Sequence, residues 1–393
     1  MNIRNPLKID IAPNRVYGLD ILRAIAILFV MFLHGCFITP NYISNIVGII
    51  LSGGVSIFLV ISGFLVGGII IKIFEKEKPT IKTLLGFWKR RWFRILPNYY
   101  LILIIHIIIA YIFWDRVNPH EYARYFFFLQ NFAWPHPWFF AESWSLSVQE
   151  WFYLLIPIVI FLLINFTSIT CKRSFLFSAI FLIIAVTAFR YGKFVRYTNN
   201  YPELIDPDML FGHQVVTRWD SVLYGVIVAY LSFYYKNTLL KYKNQLFMGG
   251  VVLFVIYKII IALPGYDVNG LFSCVFSYSV FSLIVAMLLP FFSNFKTGKG
   301  FVYKSITYIS LISYSMYLLH LSFIQWSVLG IFMKDFFAAI AIRFSETASW
   351  ITEYILYWVL TIVLAILLYK YFEIPVTNRL NKKKLKPTEN NNK

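Results

Sequence analysis

Charge is what this chain has least of. Only 14% of its 393 residues are Asp, Glu, Lys or Arg, and the acids are the scarcer half, 18 against 36 bases. A soluble domain of this length needs a charged surface, so a soluble enzyme is excluded. One with a single anchor is excluded too, because apolar runs recur to the end of the chain. Cysteine is almost absent. Cys36, Cys171 and Cys274 are an odd number with no metal-ligand spacing, which argues against a disulfide framework and against a zinc or thiol site. The first eighteen residues are mixed and polar, and no small-residue cleavage site follows the first apolar run. That run is therefore expected to span a membrane rather than to be a cleaved signal peptide. Repeats and long linkers are lacking; the longest stretch between apolar runs is 115–143.

What fills the chain instead is apolar surface: 59% of residues are hydrophobic, 20% are aromatic, and mean hydropathy is +0.69. The fold class expected is all-α, a polytopic membrane helix bundle of about ten transmembrane helices. The spans read as 19–38, 47–71, 95–114, 144–164, 175–191, 216–235, 246–263, 270–292, 305–333 and 350–372. The whole of 1–393 reads as one domain, with a bundle over 19–372 between short ends. The net charge of +18 then needs no nucleic acid. With the N-terminus inside, the inner segments carry 25 Lys and Arg, the outer segments six, and five fall within spans. Both termini, 1–18 and the basic tail 373–393 with Lys382 to Lys384, are expected in the cytoplasm.

The exceptions to the apolar rule are the informative residues, because a charge in a membrane helix is costly unless it is paired or wetted. The first span carries Asp20, Arg23 and His34. Arg23 and His34 are eleven residues apart, about three helical turns, so they share a face and sit ~16 Å apart along the axis. His34 is expected about midway through the bilayer, and Asp20, one turn from Arg23, to pair with it. Arg91 and Arg94, also one turn apart, stand at the inner mouth of the third span beside Arg90. Two guanidiniums on one helical face suit a phosphate group, although a positive-inside cluster would also look like this. Pro97 is expected to kink or start that helix. The outer loop 115–143 is rich in Trp, Phe, Pro and His: either a headgroup belt or a surface on which sugar rings stack. Glu150 lies inside the fourth span and needs a partner, Arg23 or His34. Arg218 and Asp220 read as a structural tie to each other or to another span, and His106 as a packed histidine. Gly63-x-x-x-Gly67 permits close helix approach. His320 and Glu373 close two further motifs.

Taken in order, these pieces resemble acyltransferase family 3. The resemblance rests on YGLDILRAIAILFVMFLHG with its Arg-x10-His spacing, SIFLVISGFLVG, RWFRILPNYY with its Arg-x-x-Arg, WSLSVQEWFYLLIP, ISLISYSMYLLH and YFEIPVTNRL, which together run the length of the chain. It implies transfer of an acyl group, by resemblance acetyl, from acyl-coenzyme A on the cytoplasmic side. The acceptor implied is a hydroxyl of a glycan or glycolipid reached from the membrane or the outer face of a bacterial inner membrane. It also implies roles for the Arg–His pair, for Arg-x-x-Arg and for the acidic residue of the fourth motif. One departure is visible: the family commonly has two acidic residues after WSLSV, and here they read Gln149-Glu150. The extra extracytoplasmic hydrolase-like domain of some members is not expected here, so the expectation is that the protein acts on its acceptor alone or hands over to a separate protein.

On this reading the catalytic residues are His34, Glu150 and Arg23, and the substrate-binding residues are Arg91, Arg94, Asp20, Trp144 and Ser145. No metal takes part. Coenzyme A's phosphates sit on Arg91 and Arg94, and its pantetheine arm runs up between spans one, two and three. His34 is the general base or accepts the acyl group first, its ordinary pKa of ~6.5 suiting the first role. Glu150 orients the imidazole, as in a triad. Arg23 holds a phosphate or positions His34. The alternative from another class is a transporter or flippase of an anionic lipid-linked glycan, with the buried Arg and His as substrate ligands. The acceptor itself is not legible.

Overall fold

The computed structural model describes residues 15–113, 119–167 and 169–382. Residues 1–14 and the tail's Lys383 and Lys384 lie outside the described residues. Among the described residues there is no strand, and nine helices are long and apolar enough to cross a membrane. The protein is a multi-pass integral membrane protein. Every one of the ten expected spans coincides with a helix. The one outside the nine is α8 (Val215–Tyr234), whose apolar run is diluted by Arg218 and Asp220.

Helix α1 (Tyr17–Gly35) is anchored at its start by another part of the chain. Its orphan N–H groups donate to a loop at 295–296, Gly18 to the Phe295 carbonyl at 2.8 Å and Tyr17 to that of Lys296 at 3.3 Å. A short α2 (Asn41–Leu51) follows, then Gly53 at φ 101°, a left-handed turn that favours glycine, and α3 (Gly54–Lys76). Lys258, from α9 (Lys236–Ala262), donates to the carbonyls of Ile49 at 2.9 Å and Ser52 at 3.0 Å, so this cation inside a span caps the end of α2.

Helices α3 and α8 lie backbone to backbone. A Cβ on Gly63 would stand 1.8 Å from the Val222 carbonyl oxygen, and one on Gly225 1.9 Å from that of Val60. In lipid, close packing of this kind replaces the hydrophobic driving force between helices.

Helix α4 (Ile81–Phe113) starts well before residue 95, where hydropathy placed it, and runs through Pro97. Its 33 residues extend about 50 Å, longer than the ~30 Å hydrocarbon layer, so its basic first third belongs to the helix. After a short α5 (Pro119–Phe126) and a 3-10 turn at Trp138–Ser143 come α6 (Trp144–Phe166) and α7 (Cys171–Asn200).

Then follow α8, α9, α10 (Ser277–Asn294) and α11 (Gly300–Leu319). Helix α11 passes without a break into a π-helical stretch, His320–Phe332. After α12 (Lys334–Arg343), α13 (Glu346–Leu368) likewise passes through a π turn, Tyr369–Glu373, into α14 (Ile374–Lys382). Wide turns of this kind gather at functional sites. One apolar core joins α1, α4, α11 and α13 around Ile27, Leu103, Met316 and Tyr357. A second joins α3, α6, α7 and α8 around Leu59, Phe152, Ala179 and Val222.

Candidate active site

Helices from both cores line a cavity of about 490 Å³. One end is polar and cationic: Arg15, Arg23 of α1, Arg91 and Arg94 of α4, and Glu373, Thr377 and Asn378 near the end of α13–α14. Asp20 does not pair with Arg23. It forms an ion pair with Arg15, which lies just before the helix and reaches forward to it, and it accepts from Ser310 Oγ at 2.7 Å. Arg23 has no hydrogen bond or ion pair among the described residues; its electrostatic neighbours include the like charges of Arg94 and Arg15. Arg91 lies over the Tyr153 ring at 5.6 Å, and Arg94 has no ion pair among the described residues. Glu373 is occupied by Asn98 and Ser315, each donating at 2.9 Å. Among the described residues Arg23, Arg91 and Arg94 form no ion pair, although Glu150 lies beside Arg91, and the three guanidiniums converge on one space. A low-dielectric site tolerates this arrangement when an anion completes it.

The fourth motif faces the cavity with Ser145, Gln149 and Tyr153, one turn apart each, and with Leu146. Gln149 Oε1 accepts from Ser62 Oγ at 3.3 Å and from Tyr153 Oη at 3.2 Å. Glu150, ~100° further round the helix, is buried beside Arg91 and Trp92. The structure does not bring it to His34. Trp144 is also off the cavity: its ring stacks on His213 at 4.4 Å. His213 lies in the loop before α8, where burial, then the Arg218 charge, pushes its imidazole down to about 3 and keeps it neutral.

The other end of the cavity closes on Phe58 and Tyr317, whose rings meet edge to face at 6.3 Å. The Tyr317 hydroxyl donates to the Glu142 carbonyl at 2.8 Å and accepts from Ser145 Oγ at 2.8 Å. One turn beyond Tyr317 is His320. Its Nε2 is 2.7 Å from Nδ1 of His34, and its Nδ1 is 2.8 Å from the Tyr317 carbonyl oxygen. His34 sits in the last turn of α1, at the far end from Arg15 rather than midway, and does not itself line the cavity. Its partner is a histidine, where a carboxylate was expected.

Two residues escaped the sequence reading. His320 was visible as the end of a motif, but nothing in one sequence says which span it meets. Glu142 is buried and holds the start of the π-helical stretch, accepting from Ser322 Oγ at 2.5 Å and from its N–H at 3.3 Å. Other polar residues of the spans have partners within the bundle. Asp220 pairs with Arg190 of α7 at 2.8 Å, not with Arg218, which donates to Ser56 Oγ at 2.7 Å. His106 is packed on Phe140, with Nδ1 2.8 Å from the Ile102 carbonyl oxygen. Among the described residues no group of three or more His, Cys, Asp or Glu is arranged to hold a metal.

The family profile for acyltransferase family 3, described as an acyltransferase domain, matches residues 16–370. The chain belongs to this family. Among its relatives is SAR0937 of Staphylococcus aureus (strain MRSA252), an inferred O-acetyltransferase, 25% identical over 91% of this chain and 63% of that protein. Another is the O-acetyltransferase OatA of Staphylococcus aureus (strain NCTC 8325 / PS 47), 24% identical over 94% of this chain and 58% of that protein. The chain thus spans about 60% of the length of the curated relatives it matches. No solved structure matches it. Membership agrees with the motif order in the sequence, and it puts the arginine cavity and the histidine pair in a family of acyltransferases.

Proposed function

We propose that this chain is a membrane O-acyltransferase that moves an acyl group, acetyl, from acyl-coenzyme A to a hydroxyl of a glycan or glycolipid acceptor. The observation that carries the reading is the cavity itself. Three guanidiniums that form no ion pair among the described residues line one end, and the other end is Tyr317, whose carbonyl holds the histidine that touches His34. Arg91 and Arg94, with Arg23, hold the coenzyme's phosphates. The pantetheine arm runs along α1, α3 and α4, and the thioester passes Phe58 and Tyr317 as these rings turn aside. Glu150 acts through Arg91. Asp20 acts by holding Arg15, and Ser145 by orienting Tyr317; Trp144, beside His213, faces the acceptor's side. The excess of Lys and Arg in alternate loops supports entry of the coenzyme from the cytoplasm across a bacterial inner membrane, with the acceptor met at the outer face.

His34 is the general base. As it removes the acceptor's hydroxyl proton, the acceptor oxygen forms an ester bond with the acyl carbon. The carbon–sulfur bond breaks, and the imidazolium returns the proton to the coenzyme's sulfur. The test uses protein reconstituted in vesicles with acetyl-labelled acetyl-coenzyme A and a membrane glycan fraction. Free thiol should appear together with label in the acceptor. His34→Gln should lower both by roughly 10²- to 10⁴-fold while leaving coenzyme A binding in place. Turnover of His34→Gln near the parent rate would remove His34 as the base. Movement of a lipid-linked glycan without thioester cleavage would make the protein a transporter.

A further inference from the structure

We infer that His320 is the positioning residue of the reaction: it fixes the tautomer of His34 so that Nε2 is the basic atom, and it shares the charge when that atom takes a proton. The inference rests on the reading of His34 as the base. It begins with a carbonyl. The Tyr317 carbonyl can only accept, so His320 Nδ1, 2.8 Å away, must be the donor. A neutral His320 then has a bare Nε2. That atom lies 2.7 Å from His34 Nδ1, close enough that one of the two must carry a proton, and the proton must belong to His34. A neutral His34 with its proton on Nδ1 has its lone pair on Nε2, and Nε2 makes no hydrogen bond within the described residues. Every other assignment either faces two lone pairs at 2.7 Å or charges one of the two imidazoles, neither of which has a carboxylate in hydrogen-bond contact among the described residues.

The rings are nearly parallel, 19° apart with centroids 4.9 Å apart, and the contact between them is the 2.7 Å approach of Nδ1 to Nε2. When Nε2 of His34 takes the acceptor's proton, the hydrogen bond to His320 strengthens, because the donor is now part of a cation. A neutral imidazole therefore fills the place that a carboxylate fills in a triad. What holds His320 is visible as well. It opens the π-helical stretch, and two residues on Ser322 is tied to Glu142 by both its hydroxyl and its N–H, while the Ala141 N–H donates to Ser322 Oγ at 3.0 Å.

Three variants and one spectrum test this. His320→Leu removes the acceptor and should lower kcat roughly 10²- to 10⁴-fold, with KM for acetyl-coenzyme A unchanged. His320→Gln places an amide oxygen near the position of Nε2 and should recover at least about tenfold of that loss; a purely packing role would leave Gln and Leu alike. Equal kcat in the two would overturn the inference, as would parent-like kcat in His320→Leu. If His34→Gln is also active, the base assignment has failed instead; if His34→Gln is dead and His320→Leu is not, only this inference has failed. Should His320→Leu not fold, the parent protein decides the matter. With ring-15N histidine, and His34 assigned by its loss in His34→Gln, the spectrum should show His34 protonated on Nδ1 and bare on Nε2. The opposite tautomer would overturn the proposal.

Discussion

Two sets of arginines lie within the helices of this protein, and they differ in what answers their charge. Arg190 of α7 is fully buried; it pairs with Asp220 at 2.8 Å and donates to Ser279 Oγ at 2.6 Å and to the Thr217 carbonyl at 3.0 Å. Arg23, Arg91 and Arg94 line an open cavity and form no ion pair among the described residues. The first set is answered by the protein and binds helices together. The second is left for something that is not protein. A cation in a membrane helix marks a ligand site when its partner is missing, and a joint when its partner is present.

That contrast can be broken experimentally. Arg190→Ala strands the Asp220 carboxylate inside the bundle, and removing one member of a buried pair typically costs about 3–5 kcal/mol. Unfolding in detergent should show that loss for Arg190→Ala and almost none for Arg94→Ala, whose cavity neighbour Glu373 already accepts from Asn98 and Ser315. Equal destabilisation of the two would erase the distinction. The next largest effect lies on the other side of the comparison. Arg91→Ala and Arg94→Ala should each weaken coenzyme A binding by roughly 10- to 150-fold, since a lost charged hydrogen bond is worth about 1.5–3 kcal/mol. Titration of folded protein measures this, and unchanged affinity would return both residues to lipid headgroups. The smallest effect sharpens the boundary of the cavity. Gln149→Ala removes two hydrogen bonds at the cavity wall, about 1 kcal/mol each, and should lower turnover several-fold to about 30-fold. Glu150→Gln, off the wall, should cost less. The reverse ranking would mean that the working face of α6 is the one carrying Glu150.

Much of the bundle was legible because the membrane sets a length and the sequence answers it with runs of the right size. The beginning of α4 was not, because Lys89, Arg90, Arg91 and Arg94 lower hydropathy without lowering helix propensity. Within the site, the shared face of Arg91 and Arg94 followed from spacing alone, and both line the cavity. The choices of partner did not follow. Asp20 is one turn from Arg23, yet Arg15 and Ser310 reach it first. Gln149 and Glu150 are 100° apart by helical geometry, but which of them meets the cavity depends on how α6 lies against α3 and α4. The meeting of His34 with His320 joins residues 286 apart in sequence, and helix order carries no information of that kind.

The backbone contact between α3 and α8 has a consequence for how the protein is made. Arg218 and Asp220 sit in the first turns of α8, and near a helix centre each such residue adds up to ~3 kcal/mol to the cost of leaving the translocon. Helix α8 is therefore a passenger. In the folded bundle it lies against the groove that Gly63 offers, where Ser56 of α3 receives Arg218 and Arg190 of α7 receives Asp220. Both of those helices precede it from the ribosome. Synthesis order thus assembles the receptor for the polar helix before that helix appears, and a bulky side chain at residue 63 would be felt first as a chain that stalls during insertion.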